Sequence, residues 1–363
     1  MTISRICFLF VAAMSCALAH GATPFAPSTA GAGLSSAADE ARARAKIEAA
    51  VTSAWERSDF AALDAMADRF AGSHEKTPGG RYSLQVYNDA IRELAAIDWP
   101  AGWNISTSKQ CRCYAPDPVR YSEAERRWNK ARLRFDQWMS SAPVSSTANV
   151  AMAHYWRNRA WFYRGGGYAG SVPGPAWPMY QRHIAEARKV LIAHEASAGR
   201  NPAWFSTMIN IARDEDWPRK DVKRLAHKLF REAPWYVPAY QSLASTLLPK
   251  WGGTYKTVDG FARAAIKHVP ADERDEAYAR IYMNLEMAGE PSLFKVSPAD
   301  WPTIRRGLDD LAVRYPNVQN IEAKAKFACM AGDREAFNAA YTLLDGRINA
   351  SGWPIPLQAC RAL

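Results

Sequence analysis

The sequence predicts an all-α chain built from stacked helical repeats, and three observations predict it. Residues 202–230 are echoed by residues 238–266 at an offset of 36 residues (238 − 202 = 36). In that register Pro202 meets Pro238, Trp204 meets Tyr240, Val222 meets Val258, Leu225 meets Phe261, Ala226 meets Ala262 and Phe230 meets Ile266. The matched residues are apolar or small, stand at helical spacing and read as helix, short turn, helix. A period of this kind marks an array in which each helix pair buries its apolar face against its neighbours. Helix start and stop signals also recur along the chain, and no alternating apolar run is long enough to read as a strand.

The chain opens with a segment that reads as a secretory signal peptide, Met1 to Ala19. Arg5 supplies the positive end, residues 6–18 the short apolar run, and Ala17-Leu18-Ala19 the small residues before a cleavage point at His20. An uncleaved anchor is the alternative, but the run falls short of the ~20 apolar residues that span a bilayer. A lipoprotein is a second alternative at Cys16, although Ala13-Met14-Ser15 matches a lipobox poorly. No later stretch is apolar enough to span. The predicted location is periplasmic or secreted.

Residues 20–36, rich in Ala, Gly, Ser, Thr and Pro, read as a flexible linker. Residues 37–119 form an N-terminal helical region with an irregular loop, and residues 120–363 a helical-repeat domain. In the first region Ile47, Ala50, Val51 and Trp55 line one helix. Asp59 caps the next, with Phe60, Leu63, Met66 and Phe70 on its face. Residues 72–121 are the least regular part, with one helix near residues 83–96. Further on, Ser122-Glu123-Ala124-Glu125 reads as a capping box. Asn201-Pro202 and Ser297-Pro298 each read as a cap before a proline at the first helical position. Gly252-Gly253 ends one helix, Thr254 caps the next, and Gly332-Asp333 repeats the device.

Hydrophobic residues make up 48% and charged residues 23%, ordinary values for a folded chain. The formal charge of +10 favours anionic neighbours such as envelope polymers or acidic proteins. Nucleic acid is a poor partner for an exported chain. The basic run Arg126, Arg127, Lys130 and Arg134 is interleaved with Glu123 and Glu125 and reads as a solvated helix face.

Of 6 cysteines, Cys7 and Cys16 leave with the leader, and Cys111, Cys113, Cys329 and Cys360 remain. An even number in an oxidising compartment points to disulfides. Three connectivities exist. The favoured one joins Cys329 to Cys360 and Cys111 to Cys113, although a one-residue spacer strains the second ring. No nearby Cys or His completes a metal set for Cys111 and Cys113, and no cofactor motif is present.

Residues from about 120 to 345 resemble a bacterial family of exported domains of unknown function with a tetratricopeptide-like helical fold. The resemblance rests on the segment from Trp138 to Pro143 followed by Ala148 to Tyr155, on Ala160-Trp161-Phe162-Tyr163-Arg164-Gly165-Gly166-Gly167-Tyr168-Ala169, on Leu248-Pro249-Lys250-Trp251-Gly252-Gly253, and on Phe327-Ala328-Cys329-Met330-Ala331-Gly332-Asp333. The resemblance implies a right-handed α–α superhelix and no assigned reaction. The unit length of 36 departs from the usual 34 residues of that repeat.

Candidate binding residues are Arg164, Tyr168, Lys250 and Trp251. Three glycines after Arg164 let backbone N–H groups approach an anion, but the same glycines simply end a helix and turn the chain. Trp251 either presents an indole to a ligand or seals a turn as a buried anchor, whose loss would cost about 3–5 kcal/mol. Of the 14 tryptophans most read as core, with a few left to line a binding face. Ser106-Thr107-Ser108-Lys109 matches S-x-x-K, but no K-T-G follows. His74-Glu75 and His194-Glu195 lack the second histidine of a zinc hydrolase, and His183 with His194 makes no metal site on its own. Asp214-Glu215-Asp216 reads as a helix start, where negative charge suits the dipole.

These readings favour a protein or peptide interaction scaffold in the cell envelope. Binding of an anionic or glycan envelope polymer is the first alternative. An enzyme whose site is not recognisable from sequence is the second.

Overall fold

The computed structural model describes residues 34–99, 117–287 and 292–363. The leader, most of the linker, Cys111, Cys113 and the S-x-x-K tetrapeptide lie outside the described residues. Among those described the chain is helical, with two isolated β-bridges, Ser35 with Asn317 and Lys76 with Tyr82, and no strand.

Two compact units emerge, one of residues 91–194 and one combining residues 28–90 with 195–363. Side chains from the C-terminal half grip the backbone of the N-terminal helical region, as shown below, and this makes one unit of the two.

The composite unit begins with α1, Ala37–Glu56, capped by a reciprocal Ser36–Asp39 box. The end of the expected linker is thus ordered. Ser35 N donates to Pro316 O at 2.8 Å and Val318 N to Ser35 O at 3.1 Å. Helix α2, Phe60–Ser73, starts at the Asp59 cap and buries Leu63, Ala67 and Phe70. Helix α3 is Ser83–Leu94.

The smaller unit is a three-helix layer of α4, Pro118–Ser141, α5, Ser146–Arg164, and α6, Ala176–Ala193. Helix α4 starts at Asp117, whose carboxylate accepts from Val119 N and Arg120 N ahead of Pro118. Ser122 therefore lies inside the helix, which corrects the expected capping box: proline with its aspartate cap starts the helix one turn earlier. Helix α5 packs against both neighbours and is buried without a break from Ser146 to Trp156. Its Arg159 donates to Glu125 at 2.6 Å and to the Tyr155 hydroxyl at 3.0 Å, and Tyr163 also donates to Glu125. A carboxylate among these donors ties α4 to α5.

The composite unit resumes with the pairs α7, Ala203–Asp214, with α8, Arg219–Glu232, and α9, Val237–Thr246, with α10, Tyr255–Ala265. The 36-residue echo falls on these two pairs. Trp204 and Tyr240 are both buried in it, as are Ala226 and Ala262. Helix α7 packs on α9, and α9 on α11, Arg274–Met287. After the short α12, Leu293–Val296, come α13, Trp301–Arg314, α14, Val318–Ala331, α15, Arg334–Leu344, and the terminal turn α16, Leu357–Arg361.

Helix ends in this half follow the sequence at Gly252, Thr254, Gly332 and Asp333 and depart from it at Ser297 and Asp214. Ser297 ends α12, and Asp300 caps α13 with Pro302 in the first turn. Asp214 closes α7 rather than opening α8, and its charge at that unfavourable dipole end is met by Arg213 at 2.8 Å. Asp259 accepts from the hydroxyls of Tyr278 at 2.5 Å and Tyr282 at 2.7 Å, which fixes α10 to α11. The expected Cys329–Cys360 disulfide is formed. It holds the C-terminal tail on the cluster of Ile321, Ala325, Phe337 and Leu344.

Candidate functional site

The site is built by the turn between α2 and α3. Helix α2 ends at His74 in a left-handed conformation, φ 51°. The chain then folds back on itself. Thr77 N donates to Arg81 O and Gly80 N to Thr77 O, both at 2.8 Å. The buried Glu40 of α1 accepts from Thr77 Oγ1 at 3.0 Å and from Gly79 N at 2.7 Å. From the other side Asn320 Nδ2 donates to Gly79 O at 3.2 Å and Arg280 Nη2 to Gly80 O at 2.8 Å. Gly80 has φ 77°, and a Cβ there would lie 2.6 Å from both Arg280 and Tyr315. Only glycine meets both demands.

This anchored turn forms one wall of a cleft of about 240 Å3, lined by His74, Lys76, Tyr82, Trp235, Pro270, Glu273 and Tyr315. The His74 imidazole stacks on the Trp235 indole with ring centres 3.7 Å apart. Tyr82 donates its hydroxyl to Trp235 O at 2.8 Å, which fixes the same loop from below. The Lys76 ammonium stands 4.8 Å from the Tyr82 ring centre and 5.6 Å from that of Tyr315, and donates to Glu273 at 3.4 Å. Only 8% of the Lys76 side chain is exposed. A cation held over two aromatic faces and against a carboxylate is stabilised by the ring quadrupoles as well as the ion pair. Burial lowers the His74 pKa, with Glu273 pulling it up and Lys76 pushing it down. Burial also raises the Tyr82 pKa, so that hydroxyl stays a donor.

Chemically the cleft offers flat apolar walls, one cation–anion pair and an imidazole at its mouth. Small-molecule pockets typically measure about 300–1,000 Å3. A smaller cleft of this composition suits a single large side chain, as interface hot spots do.

The residues singled out in the sequence lie elsewhere. Arg164 is held over Trp161 at 4.6 Å, Trp177 at 5.2 Å and Tyr180 at 5.7 Å. Its Nη1 donates to Gly165 O at 2.9 Å and Gly167 O at 3.1 Å. It therefore locks the turn that ends α5. Tyr168 beside it is 94% exposed. Lys250 and Trp251 share the one-turn helix Pro249–Trp251 in the composite unit. Trp251 is 43% exposed, with the Arg213 guanidinium 4.7 Å over its ring, which corrects the buried anchor. Among the other described tryptophans Trp99, Trp128, Trp138, Trp156 and Trp204 are buried, and the rest are half-buried, so fewer sit in the core than the sequence suggested. No group of three His, Cys, Asp or Glu residues able to hold a metal occurs among the described residues. No described helix is long and apolar enough to cross a membrane.

Sequence reasoning did not find Lys76, Trp235, Glu273 or Tyr315. The one available signal was Thr77-Pro78-Gly79-Gly80, a tight turn inside an irregular stretch. Compared with known proteins, the chain matches no family profile, and no curated protein or solved structure is significantly similar to it.

Proposed function

We propose that the protein is an exported helical-repeat scaffold of the cell envelope that captures a protein or peptide partner by seating one large side chain in the 74–82 cleft. The observation that carries this is the investment in the turn. A buried carboxylate, a glycine no other residue can replace and two long-range side-chain bonds hold its backbone, and the wall they set faces an open cleft. Preorganisation of this kind lowers the ordering cost of binding. The leader-like N-terminus and the Cys329–Cys360 bond support the exported setting. The resemblance to exported tetratricopeptide-like domains supports a superhelical arrangement of the helix pairs.

The test is photo-crosslinking in intact cells from a benzoylphenylalanine placed at His74, at the mouth of the cleft. A discrete protein adduct that disappears when Trp235→Ala is added supports the reading. No adduct, or one indifferent to Trp235→Ala, overturns it.

A further inference from the structure

A second surface, independent of the cleft, carries its own reading. Helix α8 buries Leu225, Ala226 and Leu229. Each of its exposed residues is basic: Arg219, Lys220, Lys223, Arg224, His227 and Arg231. Six Lys and Arg residues stand on this helix against Asp221 and Glu232 alone. Asp221 holds Arg224 at 2.5 Å, and Glu232 holds Lys228 at 3.1 Å and Arg231 at 3.3 Å. Neither acid of the helix pairs with Lys220 or Lys223. From Lys220 to Arg231 the stripe runs about 16 Å at 1.5 Å per residue, with a cation on every turn.

The stripe continues into a turn. Arg219 Nη2 donates to Gly252 O at 3.0 Å, which places the Pro249–Trp251 helix beside the N-terminus of α8. Trp251 presents its half-exposed indole there.

We infer that α8 and Trp251 form a binding surface for an acidic polysaccharide. Spaced fixed cations match a chain with one carboxylate or phosphate per sugar, and binding gains from release of that chain's counterions. An indole next to the cations adds a flat apolar face for a sugar ring, which an acidic protein would not need. No apolar residue of α8 is exposed, so the helix has nothing to insert into an acyl layer.

The experiment measures affinity of the full mature chain for polygalacturonate across a salt series. Polyglutamate and phosphatidylglycerol vesicles serve as the competing acidic classes. The triple variant Lys220→Glu/Lys223→Glu/Arg224→Glu should weaken polygalacturonate binding at least about tenfold and flatten the salt dependence. The control Arg126→Glu/Lys130→Glu/Arg132→Glu makes the same charge change on α4, and should shift affinity by less than about twofold. Trp251→Ala should weaken polygalacturonate and leave polyglutamate unchanged. Equal loss in both triple variants would reduce the effect to overall charge and sink the proposal. So would polyglutamate or vesicles binding as tightly as polygalacturonate, or indifference of polygalacturonate to Trp251→Ala.

Discussion

Glu40 and Gly79 meet across 39 residues, with the buried carboxylate accepting the glycine N–H at 2.7 Å. The bond is the hinge point of the cleft, because the turn it holds carries Lys76 on one side and Tyr82 on the other. Removing the carboxylate leaves the Gly79 N–H and the Thr77 O–H without an acceptor. An unsatisfied buried donor costs about 1–3 kcal/mol. Glu40→Ala should therefore lower stability by roughly 2–4 kcal/mol in urea unfolding. Glu40→Gln, which keeps one acceptor, should recover about half of that loss.

Gly80 and Gly165 separate two reasons for glycine. Both have positive φ, 77° and 76°, but a Cβ on Gly165 would meet nothing within 4 Å. Gly165, at φ 76° and ψ 169°, occupies backbone space open essentially to glycine, so Gly165→Ala should cost about 1–3 kcal/mol, the conformational term alone. Gly80→Ala adds a collision with Arg280 and Tyr315, and should cost at least about 2 kcal/mol more as those side chains are displaced. Thermal unfolding of the two variants side by side gives the comparison. Equal shifts would mean that the close approach carries no energy.

Two tryptophans should respond very differently to truncation. Trp138 is fully buried, and Trp138→Ala should cost about 3–5 kcal/mol. Trp251 is 43% exposed and backed by Arg213, so Trp251→Ala should cost no more than about 1 kcal/mol. Urea unfolding of the two variants checks the order, and an equal loss would return Trp251 to the core.

These comparisons show what the sequence could and could not reveal. Helix signals are local, so Asp59, Thr254 and Asp333 were legible as caps, and the apolar echo located α7 to α10. The Cys329–Cys360 bond was legible from the even number of cysteines left after the expected leader. The cleft was not legible, because its bonds are distant and many end on backbone. Arg280 reaches Gly80 O across 200 residues, and a carbonyl leaves no mark in the sequence. Competing local signals explain the errors. Ser122 and Ser297 each had a cap pattern, but Asp117-Pro118 and Asp300 lay closer to where packing begins the helix.

Two histidines of the smaller unit predict an acid response. Burial, aided by Arg92 and Arg157, lowers the His154 pKa to about 3. Burial, aided by Arg159, lowers that of His183 to about 4. The unfolded chain has histidine pKa values near 6.5. Above that value both states are neutral and stability is full. As pH falls from 6.5 toward 4, the unfolded chain takes up protons that the folded one refuses, so stability is lost. The loss should reach a few kcal/mol in urea midpoints measured across that window. His154→Leu should flatten much of the slope. A slope unchanged by the substitution would place the acid sensitivity elsewhere.

The Cys329–Cys360 bond closes a loop with a sequence separation of 31 and pins a tail that has few helical bonds of its own. Ile348, Trp353, Ile355 and Leu357 of that tail pack on the cluster between α14 and α15. Chain-entropy arguments give such a closure about 3–4 kcal/mol of stability. Its loss should be felt first in the tail, because α14 and α15 hold each other through Ile321, Ala325, Phe337 and Ala340 without it. Reduction, or Cys360→Ser, should therefore expose Arg347 to trypsin before the remaining helices become sensitive. The expected product is a chain shortened by the C-terminal 16 residues (363 − 347). Cleavage spread over α14 and α15 at the same rate would show instead that tail and helix pair unfold as one unit.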